Sequence, residues 1–153
     1  MMQMYVELIE RGGRKPILPQ YQTAGAAAFD LAAFLDAAVT LPAGGRALIP
    51  TGLRIAVPAG YAGLVLARSG LASRHGVAMS NGVGLIDSDY RGELCVALQN
   101  SGDMPFTVRD GDRIAQFLLA ETPSIELCVV SGLDDTTRGC RGFGSTGTGA
   151  KEC

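Results

Sequence analysis

Residues 46–67, RALIPTGLRIAVPAGYAGLVLA, hold three short apolar runs, RALI, TGLRIAV and YAGLVLA, with a corner at Pro58-Ala59-Gly60. Proline fixes the backbone and glycine frees it in ways that end a strand and open a turn, so short runs between such corners read as β-strands. Working outward, the pattern recurs in MYVELI upstream and in ELCVALQN, RIAQFLLA and IELCVV downstream. Further corners fall at Pro42-Ala43-Gly44-Gly45, Arg91-Gly92 and Asp110-Gly111-Asp112. The chain has 21 glycines in 153 residues, about twice the usual ~7%. These features predict an all-β sandwich or barrel.

Two segments depart from the strand pattern. Residues 24–38, AGAAAFDLAAFLDAA, favour helix by alanine content, but their 3.6-residue pattern is poor, and an irregular strand pair is expected. Residues 69–76, SGLASRHG, fit one or two helical turns, with Ser69 as N-cap and Gly76 as the stop.

At this length one domain with a substantial core is expected, without repeats. No apolar stretch approaches the ~18 residues of a membrane span, and the first residues lack a basic region followed by an apolar run, so the default is a cytoplasmic protein that does not engage membranes. Cys95, Cys128, Cys140 and Cys153 are widely spaced and His75 is the only histidine, which predicts free thiols and no zinc site. A net charge of −2 argues against a nucleic-acid partner. Of the 13 basic residues, 11 are Arg, which suits bidentate phosphate recognition but equally fits codon bias.

Four segments could carry chemistry. In residues 81–93, NGVGLIDSDYRGE, an apolar approach, a turn and the return through Leu94, Val96 and Leu98 read as a hairpin-like unit that could hold a small flat ligand by its backbone and aim Asp87 at it. The plainer reading makes Asp87 and Asp89 turn residues bonded to nearby N–H groups. Arg68, Ser69 and Gly70 supply a guanidinium, a hydroxyl and an unshielded N–H, either a phosphate seat or an ordinary helix start beside a surface Arg. Gln116 lies in an apolar strand, where its amide either ties strands together or faces a polar site. The tail, TRGCRGFGSTGTGAKEC from Thr137, is either a flexible linker or a segment that folds over a nucleotide, with Phe143 stacked on the base and Arg138 and hydroxyls on phosphate. Its glycines do not satisfy a Walker A spacing. His75 near a helix end reads as a capping or surface residue.

Together these segments resemble the trimeric deoxyuridine triphosphatase family, which converts dUTP to dUMP and pyrophosphate. Its five motifs resemble, in order, Ala24–Leu31, Arg68–Ala72, Asn81–Glu93, Gly111–Gln116 and Arg138–Gly147. The resemblance implies a jelly-roll-like β fold in a homotrimer, with a body of residues 1–136 and a closing tail of 137–153, and with sites shared between subunits. It implies Asp87 as the general base activating water against the α-phosphorus. Asn81 and the backbone at Leu85, Ile86 and Cys95 would read uracil, and Tyr90 would pack under the deoxyribose. Arg68, Ser69, Gly70 and Gln116 would hold the phosphates; Phe143 would cover the base while Arg138, Gly144, Ser145 and Thr146 close over the phosphates. Mg²⁺ would be held mainly by the triphosphate and water, with Asp30 reaching it through water. These roles suit phosphoryl transfer, which needs positioning and charge stabilisation and no covalent nucleophile.

The chain departs from the family pattern at Ala26, Ala28 and Ala67, which would alter packing only, and at Arg141, where the family has glycine, so that a long side chain precedes Phe143. Two other readings follow from the same residues. A dCTP deaminase of the same superfamily would carry a second Ser where Gly70 stands and a different tail. A non-catalytic trimeric nucleotide-binding module would have no use for Asp87.

Overall fold

The computed structural model describes residues 2–141, which form eleven strands and one short helix. A four-stranded sheet has the order β2 (Phe29–Ala32), β11 (Arg113–Glu121), β6 (Tyr61–Leu66), β8 (Gly84–Ile86). A three-stranded sheet has the order β4 (Arg46–Pro50), β9 (Cys95–Asn100), β7 (Val77–Met79). Two further pairs, β1 (Tyr5–Leu8) with β5 (Leu53–Ala56) and β3 (Val39–Leu41) with β10 (Phe106–Val108), complete the body. Every pairing is antiparallel, as expected where strands are joined by short turns, and the arrangement is jelly-roll-like.

The core lies between the sheets, where alternate residues of each strand point inward. Along β9, Val96, Leu98 and Asn100 are buried while Cys95, Ala97 and Gln99 are partly exposed. Phe117 of β11 is fully buried and stacks on Phe29 of β2 at 5.0 Å. Its ring occupies the space over Gly63 of β6, where an added Cβ would lie 2.3 Å from Cζ, so the close approach of β11 and β6 requires glycine there. The buried Asn100 side chain donates to the carbonyls of Leu41 and Met104 and accepts from the Gly102 N–H, so its polar atoms are satisfied.

The runs read from sequence at 5–8, 46–50, 53–56, 61–66, 95–100 and 113–121 are strands. Four expectations change. Residues 24–38 hold a single strand, β2; the next strand, β3, begins only at Val39, and the two do not pair with each other: β2 is taken by β11 and β3 by β10. The hairpin-like unit at 81–98 is split between sheets, with β8 paired to β6 and β9 lying between β4 and β7. The reason is Leu94, which is buried and whose backbone is claimed by Thr51 and Leu53 before β9 begins. The helix α1 (Ser69–His75) is capped by Arg68 rather than Ser69, without a side-chain bond, and Gly76 stops it in the left-handed conformation at φ +66°. The apolar run IELCVV forms no strand among the described residues; Leu127 is 88% exposed and Val129 fully so.

Candidate functional site

At one end of the four-stranded sheet, register brings three positions into line. Gln116 of β11 lies opposite Leu66 of β6 on one side and Asp30 of β2 on the other. Just beyond Leu66, the Gln116 amide donates to the Ala67 carbonyl at 2.9 Å, and this fixes where the chain turns into Arg68. The Arg68 guanidinium donates from Nε to Asp30 at 3.1 Å and from Nη1 to the Arg113 carbonyl at 2.8 Å. Arg113 donates from Nη1 to the other Asp30 oxygen at 3.0 Å. A register shift between Arg113 and Ala115 marks a bulge in β11 beside this cluster, a feature that re-aims a side chain at the end of a ladder.

Asp30 therefore neutralises part of two guanidinium groups while being only 15% exposed. Among the described residues no acceptor meets Nη2 of Arg68. A shallow cavity of about 410 Å³ opens next to it, lined among others by Arg68, Arg109, Arg113, His75 and Phe106. Its arginine-rich wall is suited to an anion, and a guanidinium already oriented by a carboxylate meets phosphate with little further ordering. The His75 ring lies 5.1 Å from that of Phe106, which fits a packing role. Ser69 and Gly70 open α1 as exposed residues, and nothing lies within 4 Å of a Cβ built on Gly70.

Asp87 follows the last residue of β8 and is exposed. Its carbonyl accepts from the Tyr90 N–H at 3.2 Å, closing a turn over residues 87–90. The Tyr90 hydroxyl donates to the Glu93 carbonyl at 3.0 Å, so the ring lies along the turn. Leu85 is 62% exposed and Ile86 packs partly against the core. Asn81 is exposed on the bend before β8, its carbonyl accepting from the Val83 N–H at 2.8 Å. Cys95, paired with Pro50 across β4 and β9, has its thiol pushed up by burial, then by the Glu93 carboxylate, with Arg11 opposing.

The two groups do not meet within one chain. Asp87 lies one residue beyond the Ile86–Gly63 pair, whereas Arg68 lies five residues beyond Gly63 in the other direction. At ~3.3 Å per residue this separates them by roughly 20 Å along β6. The structure thus gathers Asp30, Arg68 and Gln116 at one end and Asp87 and Tyr90 at the other.

Arg138 is exposed, and Arg141 turns back so that its guanidinium donates to the carbonyls of Thr137 and Arg138. Phe143, Gly144, Ser145 and Thr146 lie outside the described residues. Arg113 was not singled out from sequence; it sits within the same GDRIAQ segment as Gln116, and only the β2–β11 register reveals that it faces Asp30. The same holds for Arg11, whose partner Glu93 is 82 residues away.

No cluster of three or more His, Cys, Asp or Glu side chains able to hold a metal exists among the described residues. Asp30 offers a single carboxylate whose oxygens already accept from arginine. That donor set suits a cation brought in on a polyphosphate and kept largely hydrated, the habit of Mg²⁺. No helix among the described residues is long and apolar enough to cross a membrane.

Comparison with known proteins gives a consistent picture. The dUTPase family model matches residues 14–147. The deoxyuridine 5'-triphosphate nucleotidohydrolase of Desulfitobacterium hafniense is 54% identical over 138 residues, covering 90% of this chain and 91% of its own length. The Caulobacter vibrioides protein of the same name is 51% identical over 132 residues, 85% of each chain. Among solved structures, the dUTPase of Staphylococcus bacteriophage 80alpha with dUpNHpp superposes with a TM-score of 0.85 at 24% identity, covering 97% of this chain and 100% of that one. A dUTPase from phage phi11 of S. aureus, described as coordinating a structural Mg(II) ion, superposes with a TM-score of 0.77 at 21% identity over 88% of this chain and 100% of that one. At these identities the structures establish the fold.

Proposed function

The chain belongs to the dUTPase family, and from that premise we propose that it hydrolyses dUTP to dUMP and pyrophosphate as a homotrimer with sites shared between subunits. The observation that carries the activity is the match to relatives bearing that name along nearly the whole chain. The geometry adds a reason for sharing. An anion seat at Arg68 and a carboxylate at Asp87, roughly 20 Å apart in one chain, act on one substrate when two copies bring opposite ends of the sheet together.

Asp87 takes a proton from water as the water oxygen bonds to the α-phosphorus, and the bond from that phosphorus to the bridging oxygen breaks to release pyrophosphate. A carboxylate at the mouth of a turn, exposed to solvent, reaches such a water without displacing any structural bond. Tyr90 packs under the deoxyribose. Asn81 and the backbone of Leu85, Ile86 and Cys95 read uracil, a mode of recognition that discriminates strongly because a wrong base leaves polar groups unpaired. Arg68, with Nη2 still open, holds the phosphates with Ser69 and Gly70, while Gln116 holds the Ala67 carbonyl and so the position of Arg68. Arg138, Phe143, Gly144, Ser145 and Thr146 close over the bound nucleotide as the tail 137–153 folds onto the body 1–136.

Asp30 would help hold a Mg²⁺ carried in on the triphosphate, through water, and such an ion would supply screening of the phosphate charge. The trimer is supported by the exposed apolar run Ile125, Leu127 and Val129, which has no ladder partner among the described residues and is suited to pair with a neighbouring copy. A cytoplasmic location follows from the substrate, a metabolite of the nucleotide pool. The test is pyrophosphate release from dUTP, dTTP, dCTP and UTP with Mg²⁺, with ammonia followed in parallel. Release from dUTP alone without ammonia supports the reading; release from none, or ammonia from dCTP, defeats it.

A further inference from the structure

We infer that Arg11 and Glu93 are positioning residues for sugar selection, acting through Tyr90. The inference rests on the proposed role of Tyr90 under the deoxyribose and adds to it two residues from outside the turn that carries the base.

The Glu93 carboxylate is held by two partners through three hydrogen bonds. Arg11 Nη2 donates to both carboxylate oxygens at 2.7 Å, and the Gly52 N–H donates to Oε1 at 2.8 Å. Arg11 is itself held, with Nη1 donating to the Phe34 carbonyl at 3.1 Å and its guanidinium 5.3 Å above the Phe34 ring. Both side chains are largely withdrawn from water, at 29% and 22% exposure, so the pair is screened less than a surface ion pair. The backbone bridge between Arg11 and Arg14 fixes the base of the Arg11 side chain.

That rigidity is passed to Tyr90 at one atom. The Tyr90 hydroxyl has its described bond to the carbonyl of Glu93. The ring lies so close over Gly92 that a Cβ there would come within 2.3 Å of the hydroxyl oxygen. The ring height and tilt are thus set by where residues 92 and 93 lie, and those are pinned by Glu93 to Arg11 and Gly52. Exclusion of a 2′-hydroxyl depends on a gap of one oxygen atom, so a shift of the platform by a fraction of an ångström admits ribose. Arg11 lies far along the chain from this site, and only the fold brings it there.

The test measures kcat/KM for dUTP and UTP on the full chain for wild type, Glu93→Gln, Arg11→Met, Arg11→Lys, Tyr90→Phe and the Glu93→Gln/Tyr90→Phe double variant, each with a thermal melt. Glu93→Gln keeps the shape and one acceptor oxygen, so it retains the fold. The expected result is a fall in the dUTP to UTP ratio of about tenfold in Glu93→Gln and Arg11→Met, partial recovery in Arg11→Lys, and little further loss when Glu93→Gln is added to Tyr90→Phe. A ratio that stays at the wild-type value while the melting temperature falls assigns the pair a structural role only and overturns the inference. So does a double variant whose losses simply multiply. A wild type inactive on dUTP defeats the functional reading itself, which the wild-type arm reports separately.

Discussion

Arg68, at the start of α1 just beyond β6, and Asp30 of β2 pair at 3.1 Å, 38 residues apart in sequence, and Asp30 is held from its other oxygen by Arg113. The pairing orients a guanidinium without exhausting it, since Nη2 has no acceptor among the described residues.

Replacing Asp30 by Asn removes the charge from this arrangement while preserving its shape. Asn keeps one acceptor oxygen for one guanidinium, while its amide NH2, a donor, faces the other, so one bond is weakened and one is lost, and unfolding free energy falls by about 1–3 kcal/mol. Arg68 loses its orientation, so kcat/KM for dUTP falls by roughly tenfold to a hundredfold. Denaturant melts and steady-state kinetics check both; a variant with wild-type kcat/KM would separate the ion pair from substrate binding.

The distance between Arg68 and Asp87 along β6 makes a statement about mixtures. Arg68→Ala and Asp87→Asn chains, each inactive alone, are expected to regain activity when unfolded and refolded together. Some sites in the mixed trimers then draw an intact Arg68 from one copy and an intact Asp87 from another. Mixed trimers verified by native mass spectrometry that remain as inactive as either parent would count against shared sites.

Cys95 supplies a pH dependence. Its thiol is raised above the ordinary 9.0 by burial first and by Glu93 second. The folded chain therefore holds this proton more tightly than the unfolded chain. Its contribution is fully present below pH 9.0 and is lost as pH rises from there toward the higher folded value. The thiolate is the reactive form, so in a Cys153→Ser background iodoacetamide is expected to label the exposed Cys128 and Cys140 well before Cys95. Equal labelling rates read by mass spectrometry would contradict this.

The strands were legible where the signal is local. The Pro58–Gly60 corner separates β5 from β6 as expected, and Gly76 ends α1, because proline and glycine act on their own backbone. What escaped was pairing. The apolar approach through Ile86 and the return through Val96 suggested one hairpin, yet burial of Leu94 sends them to different sheets. IELCVV carries strand-like residues but stays unpaired and exposed among the described residues, so composition alone misassigned it. Ser69 looked like a cap, yet Arg68 is the extended residue before the helix, and its side chain goes to Asp30 instead of capping.

The site divides in the same way. Arg68 and Gln116 were marked by residue type within short motifs, Asp30 only by the family resemblance, and the fold brings the three together. Arg113 and the Arg11–Glu93 pair were not, because a charged residue on a strand or turn gives no sign of a partner 82 or 83 residues away.

The most direct measurement is pyrophosphate release from dUTP with Mg²⁺ by wild type and Asp87→Asn side by side, with binding of a non-hydrolysable dUTP analogue measured on both. Asn keeps the size of Asp87 but cannot take a proton from water. The account predicts release by wild type and a loss of at least about a hundredfold in Asp87→Asn, with analogue binding retained. Release by Asp87→Asn at the wild-type rate would contradict Asp87 as the base and with it the proposed chemistry.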